Sequence, residues 1–234
     1  MKKTVLSLFI GSLFFLACSK TEILLPVAEP CLMQTGNPAG KSYASDSVVT
    51  YTCTNKHCGI LPLSTKNYWV YEDSIFVDGV LQQVRMDTLR FLNCKKSSDG
   101  LVWWQTNLNI GLPPLLYSSD STFFGLSDRL FTPGMMDVKK EYGLFPGDSI
   151  KYLGSFDDAA ATCRSIKIQN TYKTEAGNFD NSIFFEKYAR NYRRDQLYFT
   201  PSVGVMKYIQ EKAPMGTRTL KLQQVSTLVS YHLE

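Results

Sequence analysis

Two runs rich in aromatic and β-branched residues, 67–77 and 80–91, are joined by Asp78-Gly79. A two-residue Asp-Gly link suits the tight hairpin turn whose backbone twist matches that of the flanking strands. Strands Asn67–Val77 and Val80–Phe91 therefore pair with each other in an antiparallel hairpin. In the second run Val80, Gln82, Val84, Met86 and Thr88 fall on one face. Leu81, Gln83, Arg85, Asp87, Leu89 and Phe91 fall on the other. Neither face is wholly polar, so both are expected to be partly covered.

The pattern continues along the chain. Ser97–Gly100 is a turn, and Leu101–Ile110 a strand ending in a clean alternation of Thr106, Leu108 and Ile110 against Gln105, Asn107 and Asn109. Leu115–Leu126 is a strand with a turn at Ser118–Ser121, and the stretch from Pro133 to Gly147 has no clear period. Ser149–Leu153 is a short strand. Ser155–Ala161 is the best helix start, with Ser155 as cap and Asp157-Asp158 in the first turn. Later strands are Cys163–Tyr172, Phe179–Tyr188 and Thr217–Tyr231, with a hairpin around Pro201-Ser202. Short strands with turn signals every 8–12 residues indicate one all-β antiparallel domain of eight to ten strands. A half-barrel, a barrel or a sandwich would satisfy the pattern, with at most one short helix.

The N-terminus has a different character. Met1-Lys2-Lys3 is cationic, Thr4–Phe15 is apolar, and Leu16-Ala17-Cys18-Ser19 closes the run. The run is too short for a bilayer span, which takes ~20 residues, and its layout is that of a secretory signal peptide. A cysteine after a small residue at this point resembles the lipobox of bacterial lipoproteins. The resemblance implies residues 1–17 as signal and Cys18 as the site of lipid attachment; residues 18–49, punctuated by Pro26, Pro30, Gly36, Pro38 and Gly40 without a period, read as tether, and residues 50–234 as the folded domain. Ser19 resembles the position that sends such proteins on to the outer membrane.

Removal of Lys2 and Lys3 leaves 23 basic and 21 acidic residues (25 − 2 against 21). A chain so near neutrality has no electrostatic footprint for nucleic acid, and contact with a membrane is assigned to the lipid on Cys18. The six cysteines include Cys31, Cys53, Cys58, Cys94 and Cys163 besides Cys18. An oxidising compartment permits disulfides, and five thiols allow at most two bridges with one left over. Cys53–Cys58, four residues apart in the loop, is the expected local bridge, although spacing leaves connectivity open.

Leu61-Pro62-Leu63 leading into Asn67–Tyr71, then Ala176–Ile183 and Leu197–Lys207, resemble the opening and closing segments of β-rich envelope lipoproteins of the half-barrel carrier type. That resemblance implies a curved antiparallel sheet holding an apolar ligand against a helical lid. Ser155–Ala161 is the segment available as lid.

Few residues point to chemistry. Gly36–Ser42 resembles a phosphate-binding loop, but has three residues between its glycines where the loop needs four. Cys53, His57 and Cys58 fall short of the four ligands of a closed zinc site, so no metal and no cofactor is assigned. Two histidines, His57 and His232, give little acid–base capacity near neutral pH, and no catalytic motif occurs. Trp103-Trp104 is the strongest binding cue. Strand neighbours point to opposite faces, so one of the pair fills a core while the other meets a second layer, solvent or a ligand. Tyr188, Arg190, Tyr192, Arg193 and Arg194 mix aromatic and basic residues near a turn, which suits phosphate, glycan or membrane headgroups. The expectation is a non-catalytic envelope module that binds an apolar ligand or a glycan through Trp103, Trp104, Tyr188, Arg190 and Arg193. An accessory that docks on an envelope protein partner and a hydrolase built on converging carboxylates are the alternatives.

Overall fold

The computed structural model describes residues 31–234 apart from 54–55, 144–148 and 157–158; for 149–156 and 159–160 it describes the backbone strands alone. Cys18, the expected site of lipid attachment, and the expected signal segment 1–17 lie outside the described residues. Four short strands, β1 (Leu32–Met33), β2 (Ser42–Ala44), β3 (Val49–Tyr51) and β4 (His57–Cys58), precede the long pair β5 (Tyr68–Val77) and β6 (Val80–Lys96). Then come β7 (Val102–Thr106), β8 (Leu115–Ser118), β9 (Thr122–Asp128), β10 (Met135–Gly143), β11 (Ser149–Phe156) and β12 (Ala159–Lys167). The last six are β13 (Tyr172–Thr174), β14 (Gly177–Phe179), β15 (Ile183–Ala189), β16 (Arg193–Thr200), β17 (Gly204–Lys212) and β18 (Lys221–His232). The single helical element among the described residues is a 3-10 turn at Ser45–Ser47.

Fourteen strands form one antiparallel sheet, in the order β11-β12-β15-β16-β17-β18-β5-β6-β7-β8-β9-β10-β2, with β3 also paired to β6. The path does not close into a barrel. Its two halves meet at β6, whose first part pairs with β5 and whose last residues pair with β7. The Asp-Gly hairpin forms as expected: Asp78 has φ 52° and Gly79 has φ 83°, so both turn positions take the left-handed backbone that this turn demands.

The halves face each other across the larger core. Phe123 on β9 lies edge-on to Phe199 on β16, with ring centroids 5.1 Å apart, and Tyr142 on β10 meets Phe185 on β15 at 5.5 Å. Trp69, Tyr71, Phe91, Trp104 and Leu197 complete this layer with almost no exposure. Burial of large rings of this kind dominates the stability of a two-layer β fold. A second, smaller core lies on the other face of β7–β10, where Tyr43, Val48, Trp103, Tyr117 and Phe124 pack together.

Several expectations change. Ser155–Ala161 is not a helix: β11 and β12 form a hairpin there, with Ser155 opposite Ala160 and Phe156 opposite Ala159. Pairing of β12 with β15 along Thr162–Lys167 outweighs a local helix preference of a few tenths of a kcal/mol per residue. No helical lid is seen among the described residues. The tether boundary at residue 50 also moves. Tyr43 and Val48 are buried, the Tyr117 hydroxyl donates to the Gly36 carbonyl at 2.6 Å, and β2 pairs with β10. Lys41 reaches Asp99 at 2.6 Å and Ser42 donates to Asp137 at 2.7 Å. The residues that resembled a phosphate loop are thus structural contacts over the smaller core.

The disulfides are Cys31–Cys58 and Cys53–Cys94, with Cys163 free and buried. The local Cys53–Cys58 bridge is therefore corrected. Cys53 follows β3, which lies against β6 and carries the chain to Cys94, while Cys58 on β4 pairs with β1 beside Cys31. Sheet pairing brings residues 41 and 27 positions apart within bonding reach, with Cα separations of 5.5 and 5.4 Å.

Candidate functional site

A cleft of about 520 Å³ opens between β9–β10 and β15–β16, with the Asn107–Pro114 loop along one side. The volume falls in the range of small-ligand sites. The loop is pressed onto the core at Gly111, which has φ +80°. A Cβ there would lie 2.6 Å from a Leu197 methyl and 2.8 Å from the Tyr208 ring, so this position needs glycine. Asn107 pins the start of the loop. Its Oδ1 accepts from the Arg90 amide at 2.7 Å and its Nδ2 donates to the Thr88 carbonyl at 3.0 Å.

Charged side chains line the cleft in pairs. Lys187 on β15 is buried, and its Nζ lies 2.7 Å from Glu141 Oε2 on β10, tying the two halves of the sheet together. On β16, Arg193 grips Asp195 with two bonds, Nε to Oδ1 at 2.8 Å and Nη2 to Oδ2 at 2.7 Å. Strand register places Lys187 directly opposite Asp195 on one side and Cys163 on the other, so all three share one row of the sheet. Gln210 follows in that row and donates to the Tyr208 hydroxyl at 2.7 Å.

Burial dominates the electrostatics. It pushes the Asp195 carboxyl above its ordinary range, and Arg193 pulls it back without cancelling the effect. The Cys163 thiol is pushed up to about 12 by burial, against the lowering influence of Lys187, so it is an inert thiol at neutral pH. Tyr142 is held well above the usual phenol value by burial, with Asp195 adding in the same direction. Lys139 adds one more cation to the lining. The site is nearly charge-balanced, offering carboxylate, guanidinium, ammonium and amide groups beside an apolar wall of Leu112, Pro113 and Pro114.

The residues singled out from the sequence are dispersed. Trp103 and Trp104 are 0 % and 1 % exposed and belong to the two different cores. The opposite-face rule therefore holds, but neither indole is offered to a ligand, and their role as ligand-binding residues is corrected. The Trp104 Nε1 donates to His57 Nδ1 at 2.9 Å. Tyr188 is half-buried on β15 and Arg190 is exposed on the following turn, while Arg194 is paired with Glu211. Arg193 alone of the five reaches the cleft. Cys53 and Cys58, offered as possible partners of His57, are consumed by their disulfides.

Glu141, Lys187 and Asp195 carry the cleft and were not singled out. Glu141 is the extra residue of a β-bulge: Lys140 pairs with Phe124 and Tyr142 with Phe123, leaving Glu141 between them. A bulge re-aims side chains and breaks the period of two, which is why the end of β10 around Glu141 reads as unpatterned. Lys187 and Asp195 do sit at inward positions of otherwise alternating strands, and an ionisable residue in an apolar row is the signal that would have found them.

No protein family matches the chain, and no curated protein matches it either. Among solved structures it is similar to a candidate lipoprotein from Parabacteroides distasonis, with 15% identity and a TM-score of 0.33 over 75% of this chain and 99% of that one. An overlap this loose transfers no property from one protein to the other.

Proposed function

We propose that the chain is a lipid-anchored cell-envelope module, exported by its N-terminal signal, held by lipid on Cys18 and non-catalytic, whose cleft takes a small hydroxyl-rich ligand of the glycan class. The observation that carries the ligand assignment is the ion-paired row in the cleft, Glu141–Lys187 and Arg193–Asp195. A carboxylate oxygen can accept from more than one donor, so Glu141 and Asp195 can take hydroxyls while staying ion-paired, and the mutual neutralisation of the pairs gives little pull on a strongly charged ligand. An apolar ligand is the poorer fit, because the large aromatic residues of the inner face are buried in the core. The anchor rests on the Leu16-Ala17-Cys18 pattern.

Native mass spectrometry of the mature chain with Cys18→Ser, incubated with a panel of oligosaccharides, tests the ligand assignment. A saccharide adduct that disappears under denaturing conditions, and is weakened by Ser127→Ala with Lys139→Ala, two residues of the cleft lining, supports it. A bare mass with every saccharide refutes it and shifts the reading to an accessory that docks on an envelope protein. A second reading has one observation in its favour: two carboxylates, Glu141 and Asp195, line the same cleft, as a glycoside hydrolase requires. Release of sugar from a chromogenic glycoside panel, abolished by Asp195→Asn, would replace the binding module with that hydrolase.

A further inference from the structure

Three turns gather at the end of the sheet away from the Cys31–Cys58 bridge: Asp78-Gly79, the turn after β15, and the Ala213–Thr217 loop. They enclose a groove of about 440 Å³ lined by Asp78, Asn191, Tyr192, Lys212, Met215 and Gln223, among others. The Ala213 amide donates to the Tyr192 carbonyl at 2.9 Å and Lys212 lies over the Tyr192 ring at 5.6 Å, so the loops form one surface.

That surface combines two unusual features. Met215 is fully exposed, and Val77, Val80 and Leu81 are 57 %, 63 % and 50 % exposed. Around them stand the exposed cations Arg190, Lys212, Arg218 and Lys221, against one exposed carboxylate, Asp78. Lys212 is the direct cross-strand partner of Lys221. Like charges placed opposite each other are unfavourable in an antiparallel pair, and an anion between them relieves the repulsion. Apolar tips fringed by cations match a surface that is anionic outside and apolar beneath.

We propose that this end of the sheet is a second, reversible contact with an anionic lipid bilayer. Met215, Leu81, Val80 and Val77 enter the headgroup boundary, and Arg190, Lys212, Arg218 and Lys221 meet lipid phosphates. The contact complements the Cys18 anchor and rests on that reading only for its high local concentration of bilayer. Residues 19–30 allow at most ~40 Å of chain. The ten-residue β5 spans roughly 33 Å. The domain can therefore lie along the bilayer and present both its tethered end and its turn end.

Vesicle co-sedimentation of the mature chain carrying Cys18→Ser tests the contact without the lipid. Binding to phosphatidylcholine vesicles that contain phosphatidylglycerol, falling with added salt and weak on pure phosphatidylcholine, is the expected result. Removal of one surface cation should weaken binding by ~5-fold, so Lys212→Ala with Lys221→Ala should weaken it by about 25-fold. Leu81→Asp with Met215→Asp should abolish it while leaving the urea midpoint unchanged. Equal sedimentation with neutral vesicles, no sedimentation with either, or indifference to these variants overturns the proposal. Labelled palmitate in the wild-type chain and its loss in Cys18→Ser report on the anchor separately.

Discussion

Replacement of Lys187 by methionine is the most informative perturbation of the cleft. The lysine side chain is 4% exposed and its partner Glu141 17%, with 2.7 Å between the charged atoms. Removal of one member of a buried pair costs about 3–5 kcal/mol, because the remaining charge stays desolvated. Glu141 keeps some contact with water, so the lower end applies, about 3 kcal/mol at pH 7. For a chain of this size that corresponds to a fall in Tm of roughly 6–12 °C. Urea unfolding followed by tryptophan fluorescence should show a lower midpoint with an unchanged slope. Lys187→Met combined with Glu141→Gln removes both charges and should recover most of the loss. The double-mutant cycle then gives a coupling of about 2 kcal/mol or more. A cost under ~1 kcal/mol, or a double variant as unstable as the sum of the singles, would refute the idea that this pair joins β10 to β15 across a desolvated cleft.

Further outcomes follow from the staples and the N-terminal contacts. Peptide mapping without reduction should recover Cys31 linked to Cys58 and Cys53 linked to Cys94, while Cys163 takes up alkylating reagent only after unfolding. Loss of the Cys53–Cys94 bridge, which closes 41 residues, should cost about 4 kcal/mol on the loop-entropy relation. Burial pushes the Asp99 carboxyl up, but hydrogen bonds from Lys41, Ser97 and Tyr43 outweigh it and hold it at about 2, below its ordinary 3.8. A folded value below the unfolded one gives stability that is whole above pH ~4 and is lost as pH falls toward ~2. Urea midpoints measured across that window should decline in the wild type, and Asp99→Asn should remove that part of the decline.

The all-β class, the Asp78-Gly79 hairpin and the turn at Pro201-Ser202 were legible in the sequence, because each is set by local backbone chemistry and a period of two. The count of two bridges plus one free thiol was an arithmetical reading, and the structure bears it out. The stretch from Ser155 to Ala161 was misread since Ser155 and two aspartates satisfy the rules for a helix start, and only the pairing of β11 with β12, a strand that β15 holds in the sheet from Thr162 onward, decides for strand. The bridge partners and the ordering of residues 41–51 depend on which strand lies beside which, information that spacing along the chain does not contain. Trp103 and Trp104 were rightly split between two faces, but the second face became a core only because the segment around Tyr43 folds over it. The cleft is tertiary in the strictest sense: a bulge turns Glu141 toward a lysine 46 positions away, and the two meet because a single sheet bends at β6 until its halves face each other.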